Sequence, residues 1–294
     1  MRKEAFAWVV LSLIWGSTWI FIKVGLRDLP PITFAGLRFL IAGLVLVLIV
    51  RIRRVPVPRD PLLLGWLAGT GLVSITTNYA LVFWGETRIP SGLAAVLQAM
   101  IPVFGILIAH HFLPTERLTW RKLTGVMAGF GGVAVIFYDQ IGVDGWAAAE
   151  GSLAILLSSV CIAFGNVLVK SKLQRLAPEI IAAGQMVFGF PPLLLVGWWW
   201  EGSLLLLRWT PLAVISLLYL ALVGSALAFL LYYWLVARIE VTRTMLISLV
   251  IPVVALLIGA VVAGEPLRGS ILLGSVAIIG GIAIIVRPGR KGSI

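Results

Sequence analysis

The chain has 294 residues, of which 61% are hydrophobic and only 12% charged, and its mean hydropathy is +1.08. Soluble domains hold about half apolar and about a quarter charged residues, so a water-soluble enzyme or binding module is excluded and an all-α integral membrane protein is expected. The net charge of +11 sits in short basic clusters between apolar runs and forms no stripe or arm, so the expected partner is the lipid bilayer and not nucleic acid.

Taken in chain order, Arg2 and Lys3 precede an apolar stretch that is longer than a signal-peptide core and lacks a small-residue cleavage site, so it reads as a retained span. Runs able to cross roughly 30 Å of hydrocarbon follow one another. They lie at 6–24, 32–50, 62–84, 91–112, 123–138, 150–169, 179–198, 211–234, 241–263 and 270–286, which makes ten transmembrane helices. The connections are short, leaving no room for a soluble domain. With the N-terminus placed in the cytoplasm, seventeen basic residues fall on that side and five, Lys23, Arg27, Arg88, Arg208 and Arg268, on the other. Positive residues favour the inside, so both termini are expected to be cytoplasmic, in a bacterial inner membrane.

The chain repeats itself. Trp84, Arg88, Ile89, Ile101, Pro102 and Val103 recur 150 residues later as Trp234, Arg238, Ile239, Ile251, Pro252 and Val253. Glu116, Gly125, Gly131 and Gly132 recur after 149 as Glu265, Gly274, Gly280 and Gly281. Halves 1–145 and 146–294 therefore read as repeats of five spans. Because five is odd, the second half enters the membrane from the opposite side; such inverted repeats build a midplane site that two related arrangements expose in turn.

Together with WGSTWIFIKVGLRDLPPITFAGLRFLIAG at 15–43, these doubled motifs resemble the two EamA domains of the drug/metabolite transporter superfamily. The resemblance spans almost the whole chain. It implies ten helices with cytoplasmic termini and a central cavity lined by spans one, three, four, six, eight and nine. It also implies export of small metabolites, with amino acids, aromatic ones included, as the expected substrate. Similar efflux of drugs or other metabolites, or uptake, remains the alternative on this fold.

Polar and aromatic residues inside spans mark the expected cavity, since a polar group in hydrocarbon needs a partner, water or a function. The amides are Asn78, Gln98, Asn166 and Gln185, of which the first three face the expected cavity. Gln98 and Pro102 share a stripe of span four, and Ser248 and Pro252 hold the matching positions of span nine. Each proline removes a backbone donor one turn on, which makes Pro102 and Pro252 candidate hinges. Gln98 and Ser248 could equally serve as interhelical glue. Trp15, Trp19, Tyr79, Phe83 and Tyr232 offer ring faces for stacking or for a cation. Trp84 and Trp234, at span ends, read rather as interfacial belt residues.

Among charges, Arg38 alone lies within a span and is expected to snorkel to the surface, with attraction of a carboxylate as the alternative. Glu86 reads as a solvated loop charge, so no acid is expected inside the membrane. Glu116 and Glu265 read as helix caps. The glycines of spans five and ten read as packing devices, against either the same chain or a second copy. No cofactor or metal is expected: the single cysteine, Cys161, lies in an apolar run, and His110 and His111 are adjacent and diverge on a helix, unlike an HExxH pair. Intramembrane enzymes are set aside on these grounds, and a monomer is expected.

Overall fold

The computed structural model describes residues 2–112, 118–203, 207–236, 238–239 and 247–286. All regular structure among them is helical. Proline sets four starts: α2 (Pro31–Ile52), α3 (Pro61–Gly71), α9 (Pro178–Glu201) and α10 (Pro211–Leu218) each carry it in the first turn. There its fixed φ suits the helix and its missing N–H would have had no intrahelical acceptor. Asp60 and Thr210 add side-chain caps, accepting from the backbone N–H of Leu62 at 2.9 Å and of Ala213 at 3.2 Å.

Helix α1 (Arg2–Gly25) is continuous. α3 runs through a π-helical stretch, Leu72–Thr77, into α4 (Asn78–Glu86). In the second half α10 runs through a longer π-helical stretch, Tyr219–Leu227, into α11 (Ala228–Val236). The π-helical turns thus recur at equivalent places; such turns are uncommon and gather at functional sites. α5 (Ser91–Gln98) and α6 (Ile101–Phe112) form one span broken at Ala99–Met100. Pro102 explains the break, because the carbonyl of Gln98 has no N–H to meet. α12 (Ile247–Ala263) carries Pro252 without a break. α7 (Trp120–Val143), α8 (Trp146–Leu168) and α13 (Gly269–Val286) complete the set. α7 is longer than the expected 123–138, and residues 241–246 of the expected ninth span lie outside the described residues. Among the described residues, eight helical stretches are long and apolar enough to cross a membrane, and Ile247–Ala263 is a shorter apolar one.

The helices pack in pairs: α7 with α13, α2 with α9, α5 with α12, α1 with α12, and α8 with both α4 and α6. Exchanging first-half helices for their second-half counterparts returns the same set, since α1 on α12 becomes α8 on α5–α6 and α4 on α8 becomes α10–α11 on α1. The α7–α13 crossing carries this symmetry to atomic detail. A Cβ on Gly125 would lie 2.5 Å from the Gly281 carbonyl oxygen, and one on Gly132 2.5 Å from that of Gly274. Helices this close touch through backbone, which only glycine allows. The contacts run antiparallel, and exchanging each glycine for its repeat counterpart turns one contact into the other. The neighbour of these glycines is therefore within the same chain. Gly131 and Gly280 meet nothing within 4 Å, so among the described residues they pack against no neighbour in the same chain.

Candidate functional site

Arg38 does not snorkel. Its side chain is 2% exposed, far below what a guanidinium in water would show. Its Nε donates to Ser225 Oγ at 3.0 Å, and its guanidinium carbon lies 4.9, 5.0 and 6.0 Å from the ring centroids of Tyr79, Phe39 and Phe83. Phe39 comes from the same turn of α2, while Tyr79 and Phe83 come from one face of α4 at i, i+4 spacing. Cation–π attraction to three faces compensates part of the lost hydration. One terminal nitrogen, Nη1, is buried with no acceptor in the described structure. Snorkelling fails because α4 and the Tyr219–Leu227 stretch close over the side chain.

Glu86 is the second correction. It is the last residue of α4, 0% exposed, and both carboxylate oxygens are buried without a hydrogen-bond partner. An acid thus lies inside the protein where none was expected. The helix runs two residues past the expected boundary at Trp84, and the surrounding helices cover its end. Nearby, Lys23 Nζ donates to the backbone oxygens of Glu86 at 2.6 Å and Ile89 at 2.7 Å. Glu265 accepts from the backbone N–H groups of Ser91 at 2.7 Å and Gly92 at 3.0 Å. A helix end leaves such groups unpaired, and the charges fit its dipole, so Glu265 is the cap that its sequence position suggested. Glu116 lies outside the described residues. Glu201 does the same for α2, accepting from Ile32 N–H at 2.8 Å and Thr33 N–H at 2.7 Å.

The other predicted site residues fall into groups. Gln98 Nε2 donates to Asn78 Oδ1 at 3.2 Å, joining two of the predicted amides across spans three and four. Trp15 packs at 5.4 Å from Tyr232 in a small apolar cluster, and lies 6.2 Å from Phe229 of the larger cluster that holds Trp19, Tyr79 and Phe83. Ser248 is half-buried on α12. Asn166 is exposed on α8 and makes no side-chain hydrogen bond among the described residues. Sequence reasoning missed Ser225, Lys23, Glu201 and Tyr219, whose hydroxyl lies 2.6 Å from Ser17 Oγ while its ring stacks on Phe21 at 3.8 Å. An isolated charge ending an apolar run, as in WWWE and IFIK, is the signal that would have found two of them.

The repeated Trp and Arg pairs make the same contact in both halves. Arg88 lies 3.5 Å over the Trp84 ring and Arg238 4.4 Å over Trp234, and each donates to the tryptophan's own carbonyl at 3.3 Å. Between the α4–α5 turn and the start of α13 lies a depression of about 310 Å³, lined by Arg88, Leu93, Asp144 and Arg268 among others. Arg268 grips Asp144 with two hydrogen bonds of 2.5 and 2.7 Å, and these hold its guanidinium protonated above the usual arginine value.

Paired apolar helices long enough to cross a bilayer, with charge buried among them, define a multi-pass membrane protein. The chain belongs to the EamA-like transporter family, whose profile matches it twice, over residues 2–138 and 149–287. It is 33% identical over 296 residues to a Salmonella typhimurium protein named "Probable amino-acid metabolite efflux pump", covering 97% of this chain and 95% of that one. It is 28% identical over 289 residues to the Bacillus subtilis uncharacterized transporter YoaV, covering 96% of each. A crystal structure 22% identical in sequence superposes with a TM-score of 0.69 over 97% of this chain and 96% of that one, which shows a shared fold.

Proposed function

We propose that this transporter is a monomeric exporter of neutral amino acids, aromatic ones included, in a bacterial inner membrane. Ten spans form two inverted five-helix halves, 1–145 and 146–294, with both termini cytoplasmic. The substrate's carboxylate meets Arg38, and its side chain lies along Tyr79 and Phe83. Asn78 and Gln98 stand ready to re-pair with its ammonium group. Trp15, Trp19, Tyr232 and Ser248 form the facing walls, and Pro102 and Pro252 are the hinges. Asn166, exposed on α8, belongs to the same proposed lining.

The observation that carries the proposal is Arg38: a buried cation with an N–H group lacking an acceptor, set among aromatic faces. A carboxylate joined to an aromatic or apolar side chain would satisfy both features at once. The name of the Salmonella relative agrees with that reading. Glu86 favours a second reading, efflux of organic cations, because its buried carboxylate has no donor. The positive charges of Lys23 and Arg38 act on it and argue against a cationic cargo.

Counterflow into proteoliposomes separates the two readings. Tyrosine, phenylalanine, tryptophan, methionine and threonine are compared with arginine and a lipophilic cation, with and without a pH gradient. Accumulation of the neutral amino acids without a gradient is expected; accumulation of the cation alone would replace the amino-acid reading with the second one.

A further inference from the structure

Lys23 and Lys172 hold equivalent places in the two halves, seven residues after Gly16 and Gly165. Their surroundings differ. Lys23 ends an α-helix and spends its ammonium on two carbonyls at the end of α4. Lys172 lies in a π-helical stretch, Val169–Leu173, is exposed, and rests 5.3 Å over the ring of Trp66 with no hydrogen bond. Trp66 and Glu86 lie twenty residues apart on the continuous helical run 61–86, about 30 Å at 1.5 Å per residue. The two lysines therefore act at opposite faces of the membrane.

The Lys23 face is tied shut. The turn between α4 and α5 is held at one end by Lys23 and at the other by Glu265, which comes from the other half of the chain. Gly259 makes room for that carboxylate, because a Cβ there would collide with it. By the repeat, the carbonyls that correspond to those of Glu86 and Ile89 are those of Val236 and Ile239. Lys172 is not on them.

We infer that Lys23 and Lys172 are a pair of latches engaged in alternation. The described arrangement is latched at the Lys23 face. In the opposite arrangement Lys23 lets go, and Lys172 leaves Trp66, returns to α-helix and caps the carbonyls of Val236 and Ile239. The symmetry supplies the reason: two halves of like sequence can exchange conformations at little net cost, so a bond present in one half and absent in the other marks the state. The inference rests on alternating access but not on the identity of the cargo.

The test is thiol labelling in a Cys161→Ser background with Leu93→Cys as reporter, a side chain 1% exposed beneath the latched turn. A membrane-impermeant maleimide is added to intact cells and to inverted vesicles, so no substrate is needed. Lys23→Met is expected to raise labelling about tenfold or more, from one face only, since two charge-assisted hydrogen bonds are lost from the latched state. Glu265→Gln should act in the same direction and serves if Lys23→Met does not fold. Lys172→Met removes a contact of the opposite state and should leave labelling at or below the unmodified rate. Unchanged labelling in folded Lys23→Met and Glu265→Gln, or an equal rise in Lys172→Met, would overturn the latch. Absence of amino-acid counterflow would overturn the proposed cargo instead and leave these results standing.

Discussion

The α7–α13 crossing and the interior shared by α1, α2 and α4 solve opposite problems. At the crossing, four glycines bring backbone against backbone beside Ile136, Ile278 and Ile285, and the geometry is symmetric between the halves. In the interior, charged and aromatic groups crowd together, and Arg38, Lys23 and Glu86 are fitted into one half only. Contacts made of backbone leave nothing to rearrange, so the crossing is the fixed frame. Charge inside hydrocarbon is stable only while its partners stay in place, so in the proposed transport cycle the interior is where a change of state is read.

The sharpest way to break this contrast is to crowd the frame. Gly132→Leu or Gly274→Leu forces a side chain against a facing carbonyl and should abolish the folded peak in detergent chromatography, as overpacking costs about 1–3 kcal/mol even where the backbone can shift. Gly131→Leu and Gly280→Leu, which meet open space, should fold at normal yield.

Removing an interior cap should cost less. Glu265→Ala strands the N–H groups of Ser91 and Gly92 and should destabilise by about 2 kcal/mol, seen as a fall of several degrees in thermal unfolding. The proposed hinges come next. Pro102→Ala restores a donor to Gln98, lets the helix close over Ala99–Met100, and should slow counterflow a few-fold with substrate affinity unchanged. Pro252→Ala should slow it less, because α12 already runs through that proline. Smallest of all, Arg268→Gln breaks an exposed pair and should move the unfolding temperature by about a degree. The Asp144 contact raises the arginine's pKa, so the arginine's contribution is complete at neutral pH and is lost as pH rises through that raised value in strong alkali.

The frame was legible in the sequence because it is written in residue types. Gly125 and Gly132 return as Gly274 and Gly281, the Trp84 and Arg88 pair returns as Trp234 and Arg238, and the same contacts return with them. Glu265 was recognisable as a cap from its place just outside a span. The interior was less legible for a physical reason. The burial of Arg38 depends on Ser225, 187 positions away, and on rings from another span, and no local pattern encodes that meeting. Glu86 was assigned to solvent because hydropathy fades at Trp84, whereas Lys23 and Glu265 carry the fold around it. Gly131 and Gly280 show the limit of repetition itself, since both recur and neither packs within the described chain.

The central claim is that Arg38 recognises the carboxylate of an amino acid. It is tested most directly by counterflow of tyrosine against tyramine, which lacks only that carboxylate, in the unmodified protein and in Arg38→Gln. The account predicts that the unmodified protein accumulates tyrosine and not tyramine, and that Arg38→Gln loses at least about tenfold of the tyrosine signal, as expected when a charge-assisted contact is removed. Equal transport of both compounds by the unmodified protein, or undiminished tyrosine counterflow in Arg38→Gln, would contradict it.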